Sequence, residues 1–125
     1  MAHIPLENLE VYLLARELSK KGWAIFSSLN WEQKKAMGFQ FIESTDSVGA
    51  NITEGYARFH FLDRIKFYYN ARGSLSESAD FWLELLHERN IISDQHYHEF
   101  KQIAEMLEPK LNNFIAANYR SKNNS

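Results

Sequence analysis

The sequence predicts an all-α protein, an antiparallel up-down-up-down four-helix bundle, on three observations. Apolar residues recur at spacings of three and four through most of the 125 residues, and no period-two run persists. Helix breakers are rare, with two prolines (Pro5 and Pro109) and five glycines. The periodic segments are long and their connections short, which returns each helix beside the one before it. Hydrophobic residues make up 45% and aromatics 14%, enough to fill the core of one domain spanning 1–125.

The first helix is predicted over about 6–28. Val11, Leu14, Ala15, Leu18, Gly22 and Ile25 form its stripe, widened by Leu9, Tyr12, Leu13, Trp23 and Phe26. The second is predicted over 31–54. Asn30 is its N-cap and Gln33 the capping-box partner. Met37, Phe41, Ser44, Val48 and Ile52 line up, and Gly55 is expected just past the end in the left-handed region. The third, over 61–89, carries Leu62, Ile65, Tyr68 or Tyr69, Leu75, Ala79, Trp82 and Leu86, with Asn90 as its stop. The fourth, over 94–118, follows Ser93 or Asp94 and carries Tyr97, Phe100, Ala104, Leu107, Leu111 and Phe114. Pro109 lies inside it, removes one backbone donor and is expected to kink it. The polar tail, 119–125, is expected to fray.

Composition also excludes. Cysteine is absent, so there is no disulfide, thiolate metal site or cysteine nucleophile. The start, Met1 to Pro5, has no charged region followed by an apolar run, and no stretch of about 18 apolar residues exists. A cytoplasmic protein without membrane contact is the expectation. The net charge of −2 argues against a generally basic nucleic-acid binder but leaves room for a local patch. His96 and His98 are two apart and point differently on a helix, whereas helical metal ligands sit three or four apart. Glu84 and His87 form a single Glu-x-x-His pair, too little for a dinuclear carboxylate site. No Ser-His-Asp order or glycine-rich phosphate loop is present. No catalytic residue, metal or cofactor is therefore expected.

Three features invite a binding role. The first is apolar width. A helix in a solitary bundle needs a stripe only about 100° wide. Tyr12, Trp23 and Phe26 on the first helix, and Phe67, Phe81 and Leu83 on the third, exceed it. They are either tolerated surface residues or contacts between identical subunits.

The second feature is charge. The third helix has an acidic second half with Glu77, Asp80, Glu84 and Glu88, the last three on one face. Asp80 and Glu84 then either meet cations on another helix or subunit, or lie on a solvated face near lysines of the first or second helix. Ahead of them Arg58, Arg64, Lys66 and Arg72 are interleaved with Phe59, Phe61, Phe67 and Tyr68. Such a pattern can hold a nucleic-acid strand by charge and stacking.

The third feature is the corner between the second and third helices. Asn51 and Glu54 stand one turn apart. A carboxylate at a helix C-terminus is electrostatically disfavoured, so Glu54 needs a partner, with Arg58 nearest. Gly73 in mid-helix costs about 1 kcal/mol relative to Ala. Close helix approach, with Ser74 bonding across the contact, is the expected return.

The corner carries a resemblance. Ser47 to Arg58 (SVGANITEGYAR) resembles the signature S-I-P-x-N-I-A-E-G-x-x-R, and Ala71 to Glu77 (ARGSLSE) resembles A-x-G-S-L-x-E. Both belong to the bacterial four-helix-bundle family named for proteins encoded in intervening sequences of large-subunit ribosomal RNA. Leu9 to Ala15 is similar to that family's first helix, and the likeness runs from about Leu9 to Leu111. It implies an antiparallel bundle assembled as a ring-shaped homopentamer. A related branch, the accessory variability proteins of diversity-generating retroelements, implies binding to a reverse transcriptase and nucleic acid through a basic surface. The chain departs from the family's Q-x-R-R-A pattern: Gln40 is followed by Phe41, Ile42 and Glu43, without the two arginines.

Overall fold

A computed structural model describes the backbone of residues 3–123 and the side chains of 3–122. The last two positions of the expected tail, like Met1 and Ala2, lie outside the described residues. Four helical rods follow one another. They are α1 (Glu10–Ser28), α2 (31–56), α3 (61–88) and α4 (Asp94–Asn123).

Pro5 sits in extended backbone and opens a 3₁₀ turn, Leu6–Asn8, so α1 starts later than the predicted 6. Leu9, between the turn and α1, is extended (φ −75°, ψ 121°) and buried, which ties the entry to the core. Asn30 caps α2 as expected. Gln33 N–H donates to Asn30 Oδ1 (2.8 Å), and Asn30 N–H donates to Gln33 Oε1 (3.0 Å).

Two π-helical turns, absent from the sequence reading, interrupt the rods. Within α2, Lys34–Gly38 is π, and Phe39 N–H donates to Lys34 O, five residues back. Within α3, Glu77–Trp82 is π, and Leu83 N–H donates to Ser78 O. Such a turn inserts one residue without ending the helix. The inward face of α3 therefore advances by one: Leu83 is fully buried, whereas Trp82, expected inside, is only partly covered. Leu83 leaves the set of candidate subunit contacts for the same reason. Leu62 also departs from expectation at 74% exposed, and of the tyrosine pair it is Tyr68 that is buried.

Gly55 is helical, since α2 runs on through Tyr56 and no glycine among the described residues has positive φ. The left-handed residue is Asn90 (φ 56°), which ends α3 as expected. α4 passes through Pro109 and is helical to Asn123, past the predicted end at 118. Its end is held against α3: Tyr119 meets the Phe61 ring edge-on at 5.2 Å, and Lys122 Nζ lies 4.7 Å from that ring's centre.

Neighbouring helices run in opposite directions, as their contacts show. A Cβ at Gly49 would touch Ala15, one at Gly22 would touch Thr45, and one at Gly38 would touch Leu29. Across α2 and α3, Gly55 faces Tyr68, Thr45 meets Ser78, and Arg89 reaches Met37. Across α1 and α4, Glu10 pairs with Lys110 (2.7 Å) and Lys21 with Glu99 (3.7 Å). Phe41 and Phe100 fill the middle, ring centres 5.2 Å apart.

One polar pair lies in this apolar interior. Thr45 Oγ1 donates to Phe41 O (2.7 Å), so its single proton is used. Ser78, in the π turn, therefore donates to Thr45 Oγ1 across 2.6 Å. No helix of the described residues is long and apolar enough to cross a membrane.

Candidate functional site

The corner between α2 and α3 gathers part of the signature. Arg58 Nη2 donates to Glu54 Oε2 at 3.2 Å, the pairing expected of a carboxylate near a helix C-terminus. The Arg58 guanidinium also stands 5.0 Å from the centre of the Phe67 ring. Asn51 faces elsewhere, since its amide donates back to Ser47 O (2.8 Å) within α2. At Gly55 the two helices approach closely: a Cβ there would lie 2.6 Å from Tyr68 Cε1. Gly73 reverses its expectation, because a Cβ there would meet nothing within 4 Å. Ser74 makes no cross-helix hydrogen bond among the described residues. It lines a small polar cleft of about 150 Å³ with Gln40, Glu43, Ser44, Ser47 and Glu77. Glu77 accepts from Trp82 Nε1 at 2.9 Å.

Beside the corner lies a cavity of about 250 Å³ between the amino-terminal segment and the ends of α2, α3 and α4. His3, Tyr56, Arg58, Arg64, Tyr68, Phe114 and Asn118 line it. Arg64 Nη1 donates to Phe59 O (2.6 Å), which holds the guanidinium against the loop, and Tyr56 donates to Ile4 O. Burial pushes the Tyr68 phenol up to about 12, although Arg64 pulls the other way.

The four candidate cations do not form one cluster. Arg58 and Arg64 share the cavity. Lys66 is exposed on α3. Arg72 is farther along, 4.8 Å from the Tyr69 ring centre and bonded to Asn112 (3.4 Å). The aromatics between them divide as well. Phe59 is 87% exposed, whereas Tyr68 belongs to the core.

The acidic face of α3 finds its cation within the chain, on α4 and not on the first or second helix. Lys101 Nζ donates to Glu84 Oε1 (3.0 Å), Asp80 Oδ1 (3.4 Å) and Ala79 O (2.9 Å), and Tyr97 donates to Glu84 Oε1 (2.7 Å). The Tyr97 hydrogen bond, then Lys101, holds the Glu84 carboxyl below its usual range against an opposing effect of burial. Burial works to lower Lys101, but Glu84 and Asp80 together raise it. Asp80 and Glu84, offered as subunit contacts, thus already have a partner. His87 Nε2 donates to Asp94 Oδ1 (2.7 Å) and stacks on Tyr97. No three His, Asp or Glu residues converge as metal ligands among the described residues.

The other subunit-contact candidates separate by burial. Phe26 is 8% exposed and belongs to its own core, while Tyr12 and Phe67 are half-buried. Trp23 and Phe81 are open, at 59% and 50%. Two residues missed in the sequence, Trp31 (65% exposed) and Phe39 (44%), join Trp23. Trp23 stacks on Phe26 (5.3 Å), Phe26 tilts against Phe39 (5.6 Å), and Phe39 meets Trp31 edge-on (5.9 Å). The ladder crosses from α1 to α2 at the end of the bundle opposite the cavity.

This arrangement defines an all-helical bundle with an exposed aromatic ladder at one end and a cavity lined by Arg58 and Arg64 at the other. The family model described as 23S rRNA-intervening sequence protein matches residues 7–113, and the chain belongs to that family. The chain is similar to a solved protein of unknown function from the S23 ribosomal protein family of Bacteroides thetaiotaomicron VPI-5482. The two share 26% identity and a TM-score of 0.77 over 85% of this chain and 95% of that one. No curated protein matches the chain.

Proposed function

We propose that this member of the family is a non-catalytic, self-associating binding or scaffold module. The observation that carries the reading is the ladder of Trp23, Phe26, Phe39 and Trp31, three of whose four rings are open to solvent. A contiguous exposed aromatic surface marks a contact that excludes water. A second copy is the occupant, and the family resemblance implies a ring of five. Sedimentation velocity tests it. The wild type should sediment as a multiple of the 14.7 kDa chain. Trp23→Glu combined with Trp31→Glu should sediment as one chain with unchanged helical circular dichroism. A wild type that stays a single chain at high concentration overturns the reading.

A second reading, an accessory protein for nucleic acid or for a nucleic-acid enzyme such as a reverse transcriptase, has its own support. Lys122 packs on Phe61, two residues from exposed Phe59, which adds a cation to the end of the bundle that holds Arg58 and Arg64, while Lys66 and Arg72 lie farther along α3. It requires RNA affinity that falls steeply with salt. Absence of a mobility shift at low salt removes it.

A further inference from the structure

The cavity beside the corner contains a polar group without a protein partner. Tyr68 is 1% exposed, yet its hydroxyl makes no hydrogen bond among the described residues. Among the described residues no side-chain oxygen or nitrogen is both sealed from solvent and unpartnered, so what remains open of Tyr68 is its hydroxyl, and that opens to the cavity it lines. A phenol almost wholly buried without a partner costs stability, unless something in the cavity completes it.

The surroundings say what that would be. Arg58 and Arg64 bring two guanidiniums, each with donors beyond those used on Glu54 and Phe59 O. Asn118 has spent one amide proton on Phe114 O (2.8 Å) and keeps the other. Among the described residues no carboxylate lines the cavity, and Glu54 grips Arg58 without being part of the wall. Donors from several directions suit a tetrahedral oxyanion, and guanidinium forks favour phosphate. The volume, about 250 Å³, exceeds that of a bare phosphate and leaves room for an attached group.

We infer that this cavity is a binding site for a phosphate monoester, held by Arg58 and Arg64 with the Tyr68 hydroxyl as an uncharged donor at its base. The inference is independent of the aromatic ladder at the other end and of self-association. The phosphate belongs either to a small metabolite or to the terminus of an RNA.

Calorimetric titration of the full chain at low ionic strength tests it. The probes are inorganic phosphate, uridine 5′-monophosphate, and one RNA oligonucleotide with and without a 5′-phosphate. At least one phosphorylated probe should bind saturably. Tyr68→Phe, which keeps the ring and its packing, should weaken that binding about tenfold, and Arg64→Met at least as much. Binding of the mononucleotide identifies a small ligand; binding only of the 5′-phosphorylated RNA identifies a strand end. Failure of every probe overturns the inference. So does RNA binding that ignores both the 5′-phosphate and Tyr68→Phe.

Discussion

Gly55 of α2 and Tyr68 of α3 are in such close contact that a methyl group on the glycine would lie 2.6 Å from the tyrosine ring. That ring cannot yield, because it is buried and wedged edge-on against Phe114 at 4.8 Å. Gly55→Ala should therefore destabilise the bundle by about 1–3 kcal/mol despite Ala's better helix propensity. Gly73→Ala, facing open space, should stabilise it by up to about 1 kcal/mol. Denaturant unfolding of the two variants should move the midpoint in opposite directions.

The buried hydroxyl pair predicts an asymmetry. Thr45→Val leaves Ser78 without its acceptor in the core and should cost about 1–3 kcal/mol. Ser78→Ala should cost less, because Thr45 keeps its bond to Phe41 O. The double variant should lose less than the sum of the singles in a double-mutant cycle.

Alkaline stability should depend on Tyr68. Its phenol ionises only near 12 in the folded chain, against an ordinary value of 10.0. A raised value favours folding below pH 10, and the advantage disappears as pH climbs from 10 towards 12, because only the unfolded state ionises readily. Tyr68→Phe should flatten that decline. Unfolding midpoints measured across this range, with phenolate absorbance followed in parallel, check the prediction.

On the acid side, Glu84 acts in the opposite sense. Its lowered value means that its contribution is present above the ordinary carboxylate pKa near 4.5 and is lost as pH falls through the folded one. Because Glu84 is partly solvated, the effect should be roughly 0.5–1 kcal/mol. Lys101→Met should shrink the loss of stability between neutral and acid pH. An unchanged acid limb would show that the Glu84–Lys101 pair contributes nothing to stability.

Much of the architecture could be read before any coordinates because each rod is declared by many residues at once. Val11, Ala15, Leu18, Gly22 and Ile25 all turn inward as their spacing requires. The π turns left no such trace. One added residue shifts the face from Trp82 to Leu83 without a proline or glycine to mark it, and Glu77 and Asp80 within it look like any solvated helix charges. Glycine roles were exchanged for a related reason. Whether Gly55 or Gly73 allows close approach depends on what the neighbouring helix presents, here Tyr68 and open space. At the site, the Glu54–Arg58 pair followed from the need of a carboxylate at a helix C-terminus for a nearby cation. The cavity did not, since Arg58, Tyr68 and Asn118 come from a loop and two different helices. Phe39 and Trp31 escaped notice because the stripe through Met37 and Phe41 already accounted for that helix.

The π turn at Glu77–Trp82 has a consequence for how such chains vary. A length change in a bundle is usually absorbed at a loop, where it leaves the packed layers in phase. Here a single extra amino acid is stored in the middle of a rod, next to the Thr45–Ser78 contact. Deleting one position from this stretch would let the rod wind evenly: the contact from Ser78 to Leu83 would become an ordinary i to i+4 step, and the side chains beyond it would keep the faces they now present. A one-residue indel at this spot thus alters the length of the rod while the far half stays in phase and both connecting loops are left untouched.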